Sequence, residues 1–189
     1  MPFYNTLTDL NLNKLRKSDE YYDAFDIGSL RYCTALTKLD LSETCVSNFS
    51  SLGECRTVTH LDLSDMSIHS KDEAGISYMT NVLGNCTALT YLNMSHLNTC
   101  DRLYKSFDID LMDMSSLGNC KALAKLDISQ NPMQCLNGLD KCKALTSLNL
   151  AYTLIEDIGA LKECTTLTEL DLQRTNVTNI RSVLDNLYR

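Results

Sequence analysis

Residues 30–44 read Leu-Arg-Tyr-Cys-Thr-Ala-Leu-Thr-Lys-Leu-Asp-Leu-Ser-Glu-Thr. Leucines stand at 30, 36, 39 and 41, with Cys33 between the first two. The alternation Leu39-Asp40-Leu41 puts two leucines on one face of a short strand and a polar residue on the other. Such a strand cannot bury its apolar face alone. The same frame recurs along the chain as Val58-Thr-His-Leu61-Asp-Leu63, Leu89-Thr-Tyr-Leu92-Asn-Met94 and Leu123-Ala-Lys-Leu126-Asp-Ile128. It continues as Leu145-Thr-Ser-Leu148-Asn-Leu150 and Leu167-Thr-Glu-Leu170-Asp-Leu172, and Leu7, Leu10 and Leu12 begin the series. A period in the twenties to thirties predicts a solenoid, in which each coil covers its neighbour's leucines.

Repeats begin near residues 1, 30, 52, 83, 117, 139 and 161, with a half repeat from 183, so 1–189 reads as a single domain. The expected fold is α/β: a curved parallel sheet of about seven strands on the concave face, with turns, 3₁₀ pieces and a few short helices on the convex face. The longer copies have room for helices at Ser18–Ile27, Ser70–Gly84 and Asp101–Met114.

Composition narrows the function. The 189 residues carry a formal charge of −7, with 44% hydrophobic and 22% charged residues. A folded acidic chain is expected to bind no nucleic acid, and no run approaches the length of a membrane span. No basic and apolar leader opens the sequence, so a cytoplasmic location is expected and no membrane partner. There is no G-x-S-x-G, phosphate loop or H-E-x-x-H, so neither an enzyme nor a cofactor is expected.

Six of the nine cysteines share one register: Cys33, Cys55, Cys86, Cys120, Cys142 and Cys164. They read as buried, reduced thiols packed as small hydrophobes, because stacked parallel side chains hold their Cβ atoms farther apart than a bridge prefers. A linear column also fails the tetrahedral demand of zinc. Cys45, Cys100 and Cys135 lie outside it. Thr44, Asn131, Thr153 and Thr175 are expected to bond backbone in the turn leaving each strand, whereas Met66 and Leu97 break that pattern. Sequons occur at Asn48, Asn85, Asn93 and Asn176 and read as chance matches.

The seven copies of this frame resemble the leucine-rich repeat family over nearly the whole chain. The 22-residue copies are similar to the short class typified by a nuclear regulator of protein phosphatase 1, and the longer ones to the ribonuclease-inhibitor type. The cysteine and threonine flavour resembles repeat proteins of parasitic protozoa. The resemblance implies a protein-interaction scaffold or regulatory subunit that binds a protein partner on its concave face. An extracellular recognition domain and a cysteine-based redox or metal protein are the alternatives.

Three columns would form that face. Asn11, Asp40, Asp62, Asn93, Asp127, Asn149 and Asp171 make a ladder that reads either as a solvated row bonded side to side or as an acidic stripe for a basic partner. Lys38, His60, Tyr91 and Lys125 vary from copy to copy two residues earlier, and His96, Tyr152 and Arg174 do so beyond the strand. The expected binding residues are Lys38, Asp40, His60, Asp62, Tyr91, Asn93, His96, Lys125, Asp127, Tyr152, Asp171 and Arg174, with Tyr91, His96, Lys125 and Tyr152 side by side at the centre. At the C-terminal end, Val183, Leu184 and Leu187 are expected to cap the last coil. Met1, Phe3, Tyr4 and Leu7 leave the N-terminal edge short of a cap and open to association.

Overall fold

The computed structural model describes residues 5–15, 24–68, 75–99 and 114–184. In chain order its strands are β1 (Asp9–Asn11), β2 (Phe25–Asp26), β3 (Lys38–Asp40), β4 (Cys45–Ser47), β5 (His60–Asp62), β6 (Ser67–Ile68), β7 (Tyr91–Asn93), β8 (Asn98–Thr99), β9 (Lys125–Asp127), β10 (Ser147–Asn149) and β11 (Glu169–Asp171). Seven of them form one parallel sheet in the order β1-β3-β5-β7-β9-β10-β11. The register is the expected one: Leu10, Leu39, Leu61, Leu92, Leu126, Leu148 and Leu170 stand opposite one another from strand to strand.

The leucines of the frame fill the coil. Leu36, Leu41, Leu63, Leu89, Leu123, Leu145 and Leu150 have no exposed surface, and each contributes about 1.5–3 kcal/mol by leaving water. Only the outermost coils are looser, with Leu7, Leu10, Leu12, Leu167, Leu170 and Leu172 packed on the core but half-buried.

Each column cysteine ends a tight turn. Cys33, Cys55, Cys86, Cys120, Cys142 and Cys164 donate their amide to the carbonyl of the leucine three residues earlier, at 2.9–3.0 Å. In five coils this closes a 3₁₀ segment: Gly28–Tyr32, Phe49–Glu54, Ser115–Asn119, Leu139–Lys141 and Gly159–Glu163. The sixth uses helix α1 (Gly75–Leu83), within the stretch expected to be helical, and it buries Met79, Val82 and Leu83.

Three features differ from the sequence reading. The helix expected over Ser18–Ile27 does not reach its end, because Phe25–Asp26 is β2; residues 18–23 lie outside the described residues, as do residues 101–113. A second parallel sheet, β2-β4-β6-β8, runs beside the first over the early coils. It stops where Pro132 takes the place held by Cys45, Ser67 and Asn98. Proline has no N–H to match the bond from Ser67 to the Thr44 carbonyl at 2.8 Å, so the ladder cannot continue. Finally, helix α2 (Arg181–Leu184) covers the last coil with Val183, but Leu184 turns outward at 40% exposure. A helix of one turn offers a single inward face, too narrow for both side chains. Leu187, Met1, Phe3 and Tyr4 lie outside the described residues.

Candidate functional site

Four rows of side chains cross the concave side, each built by one position of the repeat. At the strand entrance stand Thr8, Thr37, Thr59, Thr90, Ala124, Thr146 and Thr168. The Thr8 carbonyl accepts the Thr37 amide, the Lys38 amide and the Thr37 hydroxyl at 2.9, 3.0 and 2.9 Å. Thr59, Thr90, Thr146 and Thr168 repeat that hydroxyl bond to the preceding coil at 3.0–3.1 Å. This ladder escaped the sequence reading, although the threonine that recurs before every strand of the main sheet but Lys125–Asp127 was its signal.

The first strand position carries the varied row. Lys38, His60, Tyr91 and Lys125 are consecutive register neighbours across β3, β5, β7 and β9. His60 and Tyr91 stack with ring centroids 6.0 Å apart and planes at 20°, and His60 Nδ1 lies 2.9 Å from the Thr59 hydroxyl. Stacking leaves Tyr91 half-buried, and burial, together with the Asp62 carboxylate, pushes its phenol above the ordinary range. Lys38 and Lys125 stay exposed at either end of the aromatic pair.

The third strand position is the aspartate and asparagine row. Every member accepts the backbone N–H two residues on, at 2.8–3.0 Å, forming the same Asx turn in all seven coils. The second oxygen of three aspartates is held sideways: Asn11 donates to Asp40 at 3.0 Å, Asn93 to Asp62 at 3.3 Å and Asn149 to Asp127 at 2.9 Å. Asp40 and Asp62 are register neighbours, and their asparagines lie on opposite outer sides, which draws the two carboxylates apart and eases the repulsion between them. The amide-to-carboxylate reading of this row is therefore the geometry found, and Asp171 sits exposed at its end.

The fourth row lies at the rim. Lys14, Glu43, Asp65, His96, Gln130, Tyr152 and Arg174 all have left-handed backbones, with φ between 53° and 59°. All seven side chains are exposed. Each of the first six donates its amide to the next coil at 2.7–3.1 Å, which forces the conformation. Lys14 pairs with Glu43 at 3.3 Å, and the Asp65 carboxylate meets His96 Nδ1. Lys14 belongs to this column, three residues after Asn11, and was missed because the column beyond the strand was read only from the second coil on.

The expected cluster at the centre is thus divided. Tyr91 and Lys125 are neighbours, but Tyr91 is partly covered by His60. His96 and Tyr152 stand in the rim row with Gln130 between them, because the left-handed turn carries that row away from the strands.

The cysteine column faces inward. All six thiols are free and buried. Cys55, Cys86, Cys120, Cys142 and Cys164 each place Sγ 3.1–3.7 Å from the carbonyl of the leucine that opens the preceding coil. Burial pushes the thiols up, Cys55, Cys120 and Cys142 to about 11 and Cys86 to about 12, which suppresses the thiolate that redox and metal chemistry need. Cys45, in the second sheet, is disulfide-bonded. Among the described residues no three His, Cys, Asp or Glu side chains converge as metal ligands, and no helix is long and apolar enough to cross a membrane.

Residues 163–180 match the leucine-rich repeat family. No curated protein matches the chain in sequence. Among solved structures, internalin C2 of Listeria monocytogenes superposes with a TM-score of 0.67 at 16% identity, over 97% of this chain and 78% of that one. An internalin F of the same organism gives 0.64 at 23% identity, over 98% and 53%. The Arabidopsis receptor kinase HAESA, solved with a peptide hormone and a co-receptor, gives 0.61 at 18% identity, over 92% and 27%. The repeating frame, the stacked coils and these likenesses agree: the chain carries leucine-rich repeats and has the leucine-rich repeat solenoid fold.

Proposed function

We propose that this chain is a non-catalytic protein-interaction scaffold, acting as a regulatory subunit whose concave face binds a protein partner. One observation carries the reading. The threonine, aspartate/asparagine and leucine positions repeat because the coils need them, whereas Lys38, His60, Tyr91 and Lys125 differ at a position that makes no structural demand. Aromatic and cationic side chains in such a row are the types that anchor interfaces. Asp40, Asp62, Asn93, Asp127 and Asp171 line the neighbouring row and favour basic groups on the partner, with His96, Tyr152 and Arg174 contributing from the rim. The Arabidopsis receptor solved with its peptide hormone is an instance of this fold holding a polypeptide.

Affinity capture from native lysate with the wild-type chain, with Tyr91→Ala/Lys125→Glu, and with the convex-side control Glu54→Gln tests it. A protein retained by the wild type and the control and lost with the double variant supports the reading; equal retention by all three overturns it.

We propose a cytoplasmic location, with which the six free, buried column thiols are compatible. The disulfide at Cys45 favours a second reading, an extracellular recognition domain. Sequon occupancy in the native protein separates the two: glycan at Asn85 or Asn176, both exposed, places the chain outside the cytoplasm.

A further inference from the structure

We propose that a groove along the tier of 3₁₀ turns in the last three coils docks a short acidic peptide segment of a partner protein. The groove has a volume of about 570 Å³ and is lined by Lys121, Asp140, Lys141, Lys143, Ala160, Lys162 and Glu163. Four of the chain's 17 Lys and Arg residues gather there, in a molecule of net charge −7. The basic character is local. Lys121 follows Cys120, Lys141 and Lys143 flank Cys142, and Lys162 lies two residues before Cys164. Earlier coils carry Tyr32 and Thr34, Glu54 and Arg56, or Asn85 and Thr87 around their column cysteine.

Three of the four lysines are held in place across coil boundaries. The stem of Lys141 lies over Gly118, where an added Cβ would come within 2.9 Å of Lys141 Cδ. Lys121 Nζ reaches the Lys141 carbonyl at 3.5 Å, and Lys143 pairs with Glu163 at 2.7 Å. The aliphatic stems thus form walls and the ammonium groups a rim, and part of the cost of ordering them is met before a ligand arrives.

The lining selects a carboxylate-bearing peptide over a nucleic acid. It contains no arginine, the side chain that grips phosphate bidentately. Asp140 and Glu163 would oppose a continuous phosphate chain but can accept peptide N–H groups. The acidic remainder of the molecule repels any polyanion long enough to leave the groove. Coils spaced about 4.8 Å apart put roughly 10 Å between the outer two, which an extended chain rising about 3.3 Å per residue spans with three or four residues. This surface is independent of the concave-face reading.

Fluorescence anisotropy with fluorescein-labelled hexaglutamate at 20 and 200 mM NaCl tests the proposal. Saturable binding is expected at low salt, weakened at high salt. Lys141→Gln/Lys143→Gln should lower affinity about three- to tenfold, the sum of two surface charge contacts, and Arg31→Gln/Arg56→Gln beside the column cysteines of earlier coils less than about twofold. Absence of saturable binding at 20 mM, or equal loss in both double variants, overturns it. So does tighter binding of a labelled dodecathymidylate or of phosphatidylserine vesicles that the groove variant abolishes.

Discussion

The side-chain amide of Asn131 serves the turn of Leu97 as well as its own. Its oxygen accepts the Leu97 amide at 3.0 Å, and its nitrogen lies 2.8 Å from the Met94 carbonyl, 2.9 Å from that of Ile128 and 3.1 Å from that of Ser129. In other coils a threonine at this position satisfies its own strand end: Thr153 donates to Leu150 at 2.7 Å and Thr175 to Leu172 at 2.9 Å. Leu97 has no such group, so the next coil supplies it. Asn131 is fully buried. Asn131→Ala should therefore strand backbone groups in two coils and cost more than Thr153→Ala, which strands one. Each buried unsatisfied group costs about 1–3 kcal/mol, so a difference of at least about 1 kcal/mol is expected between the two variants. Urea unfolding followed by circular dichroism measures it; equal midpoints would show that Asn131 does not bridge the coils.

The threonine ladder has one gap. Ala124 lies between Thr90 and Thr146, and its backbone makes the same bonds as its neighbours, 2.9 Å from both Ala124 and Lys125 amides to the Thr90 carbonyl. Ala124→Thr should add the missing hydroxyl bond and raise stability by about 0.5–1.5 kcal/mol. The control is Ala124→Val, which matches threonine in shape without the donor. A gain in both variants would assign the effect to packing.

Much of this architecture was legible because each leucine in the frame has one job. Leu39 and Leu41 on one side of Asp40 define strand, face and register together, and the cysteine in each coil marks the turn before it. The second sheet was hidden because its strands are two or three residues long and Cys45-Val46-Ser47 shows no pattern of its own. Pro132, which ends it, was the readable sign. The candidate site was half legible. Position told which residues share a row, but whether Tyr91 is open or covered depends on its stacking with His60, a contact 31 residues away in the chain. The lysine groove lay unread in Cys120-Lys121 and Lys141-Cys142-Lys143 because those motifs were read only for their cysteines.

The cysteine column makes stability sensitive to alkali. An unfolded thiol ionises near 9, whereas burial holds Cys55, Cys120 and Cys142 near 11 and Cys86 near 12. Between those values the unfolded chain has released protons that the folded chain keeps. The stabilisation is thus complete below pH 9 and is lost as pH rises through 9 toward 11 or 12. The urea midpoint should fall steeply over this interval, and less steeply in Cys86→Ala even though that variant starts lower. In the native protein at pH 8 a thiol reagent should reach half-buried Cys135 before any column member. Prompt labelling of Cys86 without unfolding would contradict the inward-facing column.

The rim row sets side chains against backbone ease. Left-handed φ values at Glu43, Asp65, His96, Gln130 and Tyr152 each cost roughly 1–2 kcal/mol for an L-residue, which glycine avoids. Glycine gives back about 0.4–1 kcal/mol through the greater freedom of the unfolded chain. Gln130 makes the cleanest test, since it lies between His96 and Tyr152 and carries no charge. Gln130→Gly should leave stability unchanged or raise it by up to about 1 kcal/mol. Gln130→Asn should be at least neutral, because asparagine tolerates this conformation, and Gln130→Val should be destabilising, because a β-branched side chain does not. The order Gly and Asn above Gln above Val in urea midpoint is the expected result. A glycine variant weaker than the wild type would mean that the Gln130 side chain itself stabilises the turn. With the expected order, this coil would be at least as stable with glycine as with the side chain it carries, and Gln130, unlike the paired Lys14 and Glu43 or Asp65 and His96, would owe its place to something other than the stability of its turn.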